Sequence, residues 1–368
     1  MGSKYVVSEK KETLLVKYMR VVGAVALYWS VSISMVFINK YLLKSDQLKL
    51  NAPMFVTWFQ CVVTVLLCVI CSHVSARCQI WGDSMPNLMT FPSTKFDAKL
   101  SREALPLSVV FVLMISFNNL CLGEVGVAFY TIARSLVTIF SLIFTYFILG
   151  KKTTLPALFC CGIILGGFFL GVNQQGASLG GLSIKGTLYG VFSSAMVALN
   201  AIYIKKVLPS MDNNIWKLTY YNNVNACAMF IPFILLSEIS EIMSFPYLFN
   251  LHFWFLMCVA GFFGFIMGYV VGFEIKVTTP VTHTVSGVAK ACLQTVIAVL
   301  YSHESKSALW WFSNIMVLFG TGCYSVVKSM DMKREHTATV VKQTDENGEQ
   351  KTSLLSTFRN MYLVLQRK

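Results

Sequence analysis

Lys290 lies inside an apolar run from Val281 to Tyr301, next to Ser286, Gly287, Val288 and Ala289. An ammonium group at the centre of a membrane helix costs about 2.5 to 3.5 kcal/mol on insertion scales, so a residue placed there points to an anion that meets it. Arg134 is placed in the same way, within the run from Val125 to Leu149. Two cations at mid-depth in one bundle fit a ligand with two negative charges. Arginine's planar fork grips a phosphate at two points, whereas lysine acts as a point charge. Ser286 and Gly287 allow close backbone approach beside Lys290. The plainer alternative is a structural pair with a buried carboxylate, but Glu124 and Glu274 fall near the ends of their apolar runs.

The stretch Tyr220, Tyr221, Asn222, Asn223, Val224, Asn225 is the second chemically loaded feature. A carboxamide in a dry environment needs a partner, because leaving it unsatisfied costs several kcal/mol. An amide carries both donor and acceptor, which suits the edge of a nucleobase, and a neighbouring tyrosine offers a stacking face. Asn118 and Asn119 form a similar pair. For both groups the competing reading is adhesion between helices, where amides commonly bridge transmembrane segments.

The elements that must position these residues are membrane helices. Of 368 residues 55% are hydrophobic and only 13% charged, and the mean hydropathy is +0.63. A hydrocarbon layer about 30 Å thick takes roughly 20 apolar residues per helix. Ten such runs are expected: Val21 to Leu43, Pro53 to Val74, Ala104 to Leu122, Val125 to Leu149, Leu155 to Val172, Gly186 to Leu208, Ile215 to Leu236, His252 to Phe273, Pro280 to Tyr301 and Ala308 to Val327. The first is too long and too late for a cleaved signal. The net charge of +13 invites a nucleic-acid reading, but the charges alternate between loops. The N-terminal segment, the loops after even-numbered runs and the tail hold 23 of the 30 Lys and Arg residues. That asymmetry is a topology signal placing both termini in the cytosol, and it removes the case for a nucleic-acid partner. Most cysteines lie within the runs and read as small packing residues. Nothing in their spacing suggests a metal site, and no cofactor is expected.

The two halves resemble each other. Thr57, Trp58, Phe59, Gln60 in the second run match Thr219, Tyr220, Tyr221, Asn222 in the seventh, and Arg134 in the fourth matches Lys290 in the ninth. Five helices per copy is an odd number, so the second copy enters the membrane from the opposite side. The expected fold is therefore an all-α membrane protein of ten transmembrane helices in two inverted five-helix repeats, a plan used by secondary transporters. Its expected parts are a cytosolic segment 1–20, a first repeat 21–172, a linker 173–185, a second repeat 186–327 and a disordered cytosolic tail 328–368. The spans hold no paired carboxylates, His-Asp pair or activated nucleophile, which argues against a membrane-embedded transferase. They also supply no ring of filter residues for a channel.

Six stretches are similar to the nucleotide-sugar transporters of the drug/metabolite transporter superfamily, in particular to their GDP-fucose branch. They are YWSVSISMVFINKYLL from Tyr28, PLSVVF from Pro106, FNNLCL from Phe117, GVAFY from Gly126, YYNNVNAC from Tyr220 and SGVAKAC from Ser286. The resemblance covers about Ala24 to Val327. It implies that Tyr220, Tyr221, Asn222 and Asn223 stand where that family's Phe-Tyr-Asn-Asn nucleotide motif stands. Likewise, Ser286 to Lys290 stand where GDP-mannose carriers have Gly-Ala-Leu-Asn-Lys. Only the lysine and the small residues match there, and the missing Asn argues against GDP-mannose and suits a 6-deoxy sugar. The resemblance further implies a multi-pass Golgi membrane protein, embedded in lipid, that exchanges GMP for GDP-fucose. Related phosphate translocators carry a basic residue in the fourth helix, as Arg134 does here. Another nucleotide sugar or a phosphorylated metabolite is the alternative cargo, and a homodimer is among the assemblies open to such a bundle.

Overall fold

The computed structural model describes residues 14–44, 50–81, 91–92, 95–124, 127–176, 184–302, 307–334 and 337. Side chains are described except at 14, 36, 37, 39–44, 78–81, 119, 122–124, 127–135, 168, 171–176, 184, 186, 187, 294, 295 and 297–302.

Among these residues the chain is helical throughout. The helices are α1 (Leu14–Lys44), α2 (Pro53–Trp81), α3 (Ala98–Glu124), α4 (Val127–Leu149), α5 (Leu155–Gly176), α6 (Ile184–Val207), α7 (Ile215–Ser237), the short α8 (Ile239–Met243), α9 (Leu251–Val277) and α10 (Pro280–Ser302). A further helix, α11, covers residues 308–334. Among the described residues, five helices are long and apolar enough to cross a membrane: those spanning Leu15–Met35, Pro53–Arg77, Ala98–Asn118, Leu188–Met211 and Leu251–Val277.

Several helices outrun the apolar stretches that announce them. α1 already includes Leu14, ahead of Val21, and α11 continues past Val327 through residue 334, so part of the expected tail is helical. Hydropathy marks only the portion of a helix that matches hydrocarbon, whereas backbone hydrogen bonding continues into polar turns at 1.5 Å per residue. Sequence analysis gave no sign of α8 or of the 3-10 turn Leu208–Met211. Pro106 in α3 and Pro232 in α7 sit inside continuous helices, because neighbouring helices can satisfy the freed carbonyls.

Packing centres on α9, which lies against α1, α2 and α7, and on α6, which lies against α3 and α4. α9 approaches its neighbours on a glycine face. A Cβ at Gly261 would stand 2.6 Å from Val63, and one at Gly268 would stand 2.9 Å from Thr219. A side chain at either position would push α9 off α2 or α7, as close helix packing in membranes requires small residues. One core gathers Phe230, Phe253, Met257 and Ala260 between α2, α7 and α9, and another gathers Ile204, Met211, Leu218 and Tyr221.

A carboxylate ties α7 to α2. Glu238, just past α7 and 5% exposed, accepts from the amides of Met54 at 2.9 Å and Phe55 at 2.7 Å. These are orphan donors of α2's first turn, and a carboxylate there also meets the positive end of the helix dipole. Burial pushes this carboxyl above the usual carboxylate range, while the two amides pull it back.

Candidate functional site

Helical spacing aligns two polar stripes. On α10, His283, Ser286, Gly287 and Lys290 follow one another at three- and four-residue steps and share a face. On α1, Tyr28 and Ser32 lie one turn apart, with Trp29 beside them. α10 begins at Pro280, which suits the first helical position, and Thr279 caps it by accepting the amide of Thr282 at 3.1 Å. That start sets the register that places the α10 stripe opposite α1.

The stripes meet residue by residue. Trp29 Nε1 donates to Ser286 Oγ at 3.0 Å, and Lys290 Nζ donates to Ser32 Oγ. The same ammonium stands 4.9 Å from the centroid of the Tyr28 ring, a cation–π geometry. Tyr28 also packs against His283, with ring centroids 4.9 Å apart. A Cβ at Gly287 would touch the Tyr28 hydroxyl at 3.5 Å. The result is a half-buried ammonium among hydroxyls and an aromatic face, a setting in which a phosphate could accept from several donors at once.

Of the two carboxylates that sequence reading weighed against Lys290, the side chain of Glu124 lies outside the described residues, and Glu274 contacts His283. Glu274 on α9 is fully buried, and its Oε2 lies 2.6 Å from His283 Nδ1. His283 sits two turns from Lys290, about 10 Å along the helix.

The stretch on α7 has a different character. Asn214 caps the helix by accepting from the amides of Trp216 and Lys217 at 3.0 and 3.2 Å. Tyr220 and Tyr221 are 8% and 1% exposed and pack edge to face. The Tyr221 hydroxyl donates to the carbonyl of Lys95 and accepts from the amide of Asp97, both at 3.0 Å. It thereby fastens the entry of α3 to α7. Asn225 exchanges two hydrogen bonds with Ser101, and Asn223 Nδ2 donates to the carbonyl of Thr219 at 2.8 Å. Asn222 differs: its Oδ1 is buried and, among the described residues, has no hydrogen-bond partner.

Asn118 accepts from Ser193 across the α3–α6 contact, as interhelical adhesion requires. The side chains of Arg134 and Asn119 lie outside the described residues, although both positions fall within helices, α4 and α3. The structure thus brings Ser286, Gly287 and Lys290 together on one face and places Tyr220, Tyr221, Asn222 and Asn223 on another helix. It adds Tyr28, Trp29, Ser32 and His283, which sequence reading did not single out as site residues. Their signal was present in polar groups at helical spacing inside the first span, and in a histidine seven residues before the lysine.

Residues 19–325 match the Triose-phosphate Transporter family. This chain belongs to that family. Among its relatives, the GDP-fucose transporter 1 of Nematostella vectensis is 50% identical over 93% of this chain and 99% of its own length. The GDP-fucose transporter 1 of Mus musculus is 50% identical over 89% and 90%. The Drosophila melanogaster protein named GDP-fucose transporter, Golgi, is 44% identical over 89% and 96%. One solved crystal structure superposes with a TM-score of 0.58 over 86% of this chain and 99% of its own, at 12% identity, which shows a shared fold alone. This member of the Triose-phosphate Transporter family is therefore a helical membrane transporter, with a polar cluster where α1 meets α10.

Proposed function

We propose that this chain carries GDP-fucose from the cytosol into the Golgi lumen in exchange for GMP, by alternating access. The observation that carries the reading is identity at about half of all positions, across nearly the whole chain, with proteins named GDP-fucose transporters. The geometry supplies a plausible chemistry. Lys290, Ser32 and Ser286 hold the diphosphate, with Gly287 giving it room and Arg134 as the second cation. The free acceptor of Asn222 takes a donor on the guanine edge, while Tyr220, Tyr221 and Asn223 hold its helix in place.

The ten-span, two-repeat architecture, with repeats 21–172 and 186–327, is part of this reading. Paired packing supports it: α1 on α9 is matched by α6 on α3, and α2 on α9 by α7 on α3. These are the equivalences expected when the second repeat is an inverted copy of the first. A carrier without nucleotide holds two cations at mid-depth with no phosphate between them, so crossing in that form is unfavourable. A returning monophosphate relieves this and makes the cycle an exchange. The lysine-rich loops support a topology with both termini in the cytosol.

Uptake by purified protein in liposomes tests the reading. Preloaded GMP is expected to drive uptake of labelled GDP-fucose above that of GDP-mannose and UDP-sugars. Preference for another sugar, or uptake indifferent to preloading, would overturn it.

A further inference from the structure

A second basic cavity lies at another place in the bundle, where α4, α6, α10 and α11 end or begin. It has a volume of about 40 Å³ and is lined by Lys151, Lys152, Lys205, Lys328, Thr145 and Tyr324, together with Thr153 and the first turn of α10. That volume holds about three water molecules, roughly the room a phosphate group needs.

Local structure explains how the lysines converge. Gly150, at φ +64°, ends α4 in the left-handed conformation, and the amide of Lys151 returns to the carbonyl of Thr145 at 3.3 Å. This αL cap turns Lys151 and Lys152 back over the helix end. Lys205 donates to the carbonyls of Ile275, Lys276 and Thr278 at 2.8, 2.9 and 3.2 Å, so its hydrogens are committed while its charge remains. Lys328 pairs with Asp331 at 3.6 Å, and Asp331 also accepts from Thr154 at 3.2 Å. Four ammonium groups thus share one cavity, with one carboxylate at its edge among the described residues.

Three features ask for an anion there. Like charges gathered at a partly dry site repel unless a counter-charge joins them. The start of α10 turns its positive dipole end toward the cavity. Thr145, 5% exposed, has a buried hydroxyl with no hydrogen-bond partner among the described residues. We propose that this cavity is a phosphate-monoester site, distinct from Lys290, that ties α4, α6, α10 and α11 together at the lysine-rich end of the bundle. A soluble phosphate and the headgroup of a phosphomonoester lipid share the required chemistry.

Thermal unfolding of the full-length protein in detergent tests this, with inorganic phosphate compared against chloride at matched ionic strength. A parallel arm uses protein in phosphatidylcholine vesicles with and without phosphatidic acid. Phosphate or phosphatidic acid is expected to raise the unfolding temperature of the native chain and of Lys290→Ala by several degrees. In the Lys290→Ala background the shift should be lost when Lys152→Gln or the near-isosteric Thr145→Val is added. A shift with inorganic phosphate assigns a soluble ligand, and one confined to phosphatidic acid assigns a lipid. The proposal falls if neither ligand moves Lys290→Ala, or if the shift seen in Lys290→Ala survives the addition of Lys152→Gln and of Thr145→Val.

Discussion

The seam between α1 and α10 and the seam between α3 and α7 both carry polar groups inside a membrane bundle, yet they use them in opposite ways. At the α3–α7 seam the described polar groups bond across to protein atoms, Tyr221 to Lys95 and Asp97 and Asn225 to Ser101. At the α1–α10 seam a half-buried ammonium rests on a serine and an aromatic face. Neutral hydroxyls and a ring attract a cation far less than a phosphate does. A matched polar network fixes a helix pair, whereas an ammonium whose contacts include a hydroxyl and a ring can exchange them for a phosphate that binds it more strongly. Asn222, whose Oδ1 has no partner among the described residues, is the place where the first seam resembles the second.

Lys290→Ala should break this contrast most strongly. Charge-assisted hydrogen bonds contribute about 1.5 to 3 kcal/mol each, so losing two phosphate contacts lowers GMP-driven exchange by about 100-fold or more. Purified yield and unfolding temperature should stay near those of the native chain. Full exchange by this variant would end the assignment of the α1–α10 seam as the phosphate site.

Asn222→Ala and Tyr221→Phe sharpen the comparison from the other seam. The asparagine variant should weaken GDP-fucose and GMP by about tenfold while sparing inorganic phosphate, the scale of one buried hydrogen bond to a base. Equal losses for all three ligands would count against base recognition. Tyr221→Phe should lower stability by about 1 to 2 kcal/mol, because it leaves the carbonyl of Lys95 and the amide of Asp97 without their partner. Its KM for GDP-fucose should be unchanged; a large rise in KM with normal stability would make Tyr221 a ligand contact.

Ser32→Ala is a smaller lever on the first seam, with KM expected to rise about threefold and the maximal rate held, since a single neutral hydroxyl contributes about 1 kcal/mol or less. An unchanged KM would remove Ser32 from the phosphate site.

Glu238→Gln touches neither seam. An amide accepts only one of the two α2 amides well, so the loss should be about 1 kcal/mol, the usual scale for a helix cap. The sign of the pH effect follows from burial, which raises the folded carboxyl above its unfolded value. The native state then holds its proton more tightly, and this group's contribution is greatest at low pH and fades as pH rises through the raised value. The variant should flatten that part of the curve of unfolding temperature against pH. A curve identical to the native one would show that the carboxylate is not held as described.

Much of this molecule is legible in its residues taken in order. Apolar runs of about 20 residues locate membrane helices because an unsatisfied backbone is too costly in hydrocarbon, and the five described helices long and apolar enough to cross a membrane overlap expected runs. Lys290 announces itself because charge is expensive at that depth. Helix ends were less legible, as at Leu14 and residue 334, since polar turns stay helical once outside the hydrocarbon.

Tertiary structure alone decided what each polar group faces. Composition cannot separate an asparagine that glues two helices from one that waits for a ligand, because both cost the same to bury. The distinction lies in whether a partner stands within hydrogen-bond reach, as Ser101 does for Asn225 and as no described residue does for Asn222 Oδ1. The partners of Lys290 and Ser286 come from α1, more than 250 positions away in the chain. The convergence of lysines from α4, α6 and α11 on one cavity is equally non-local. Local sequence sets the cost of burying a group, and only the packed bundle determines what offsets it.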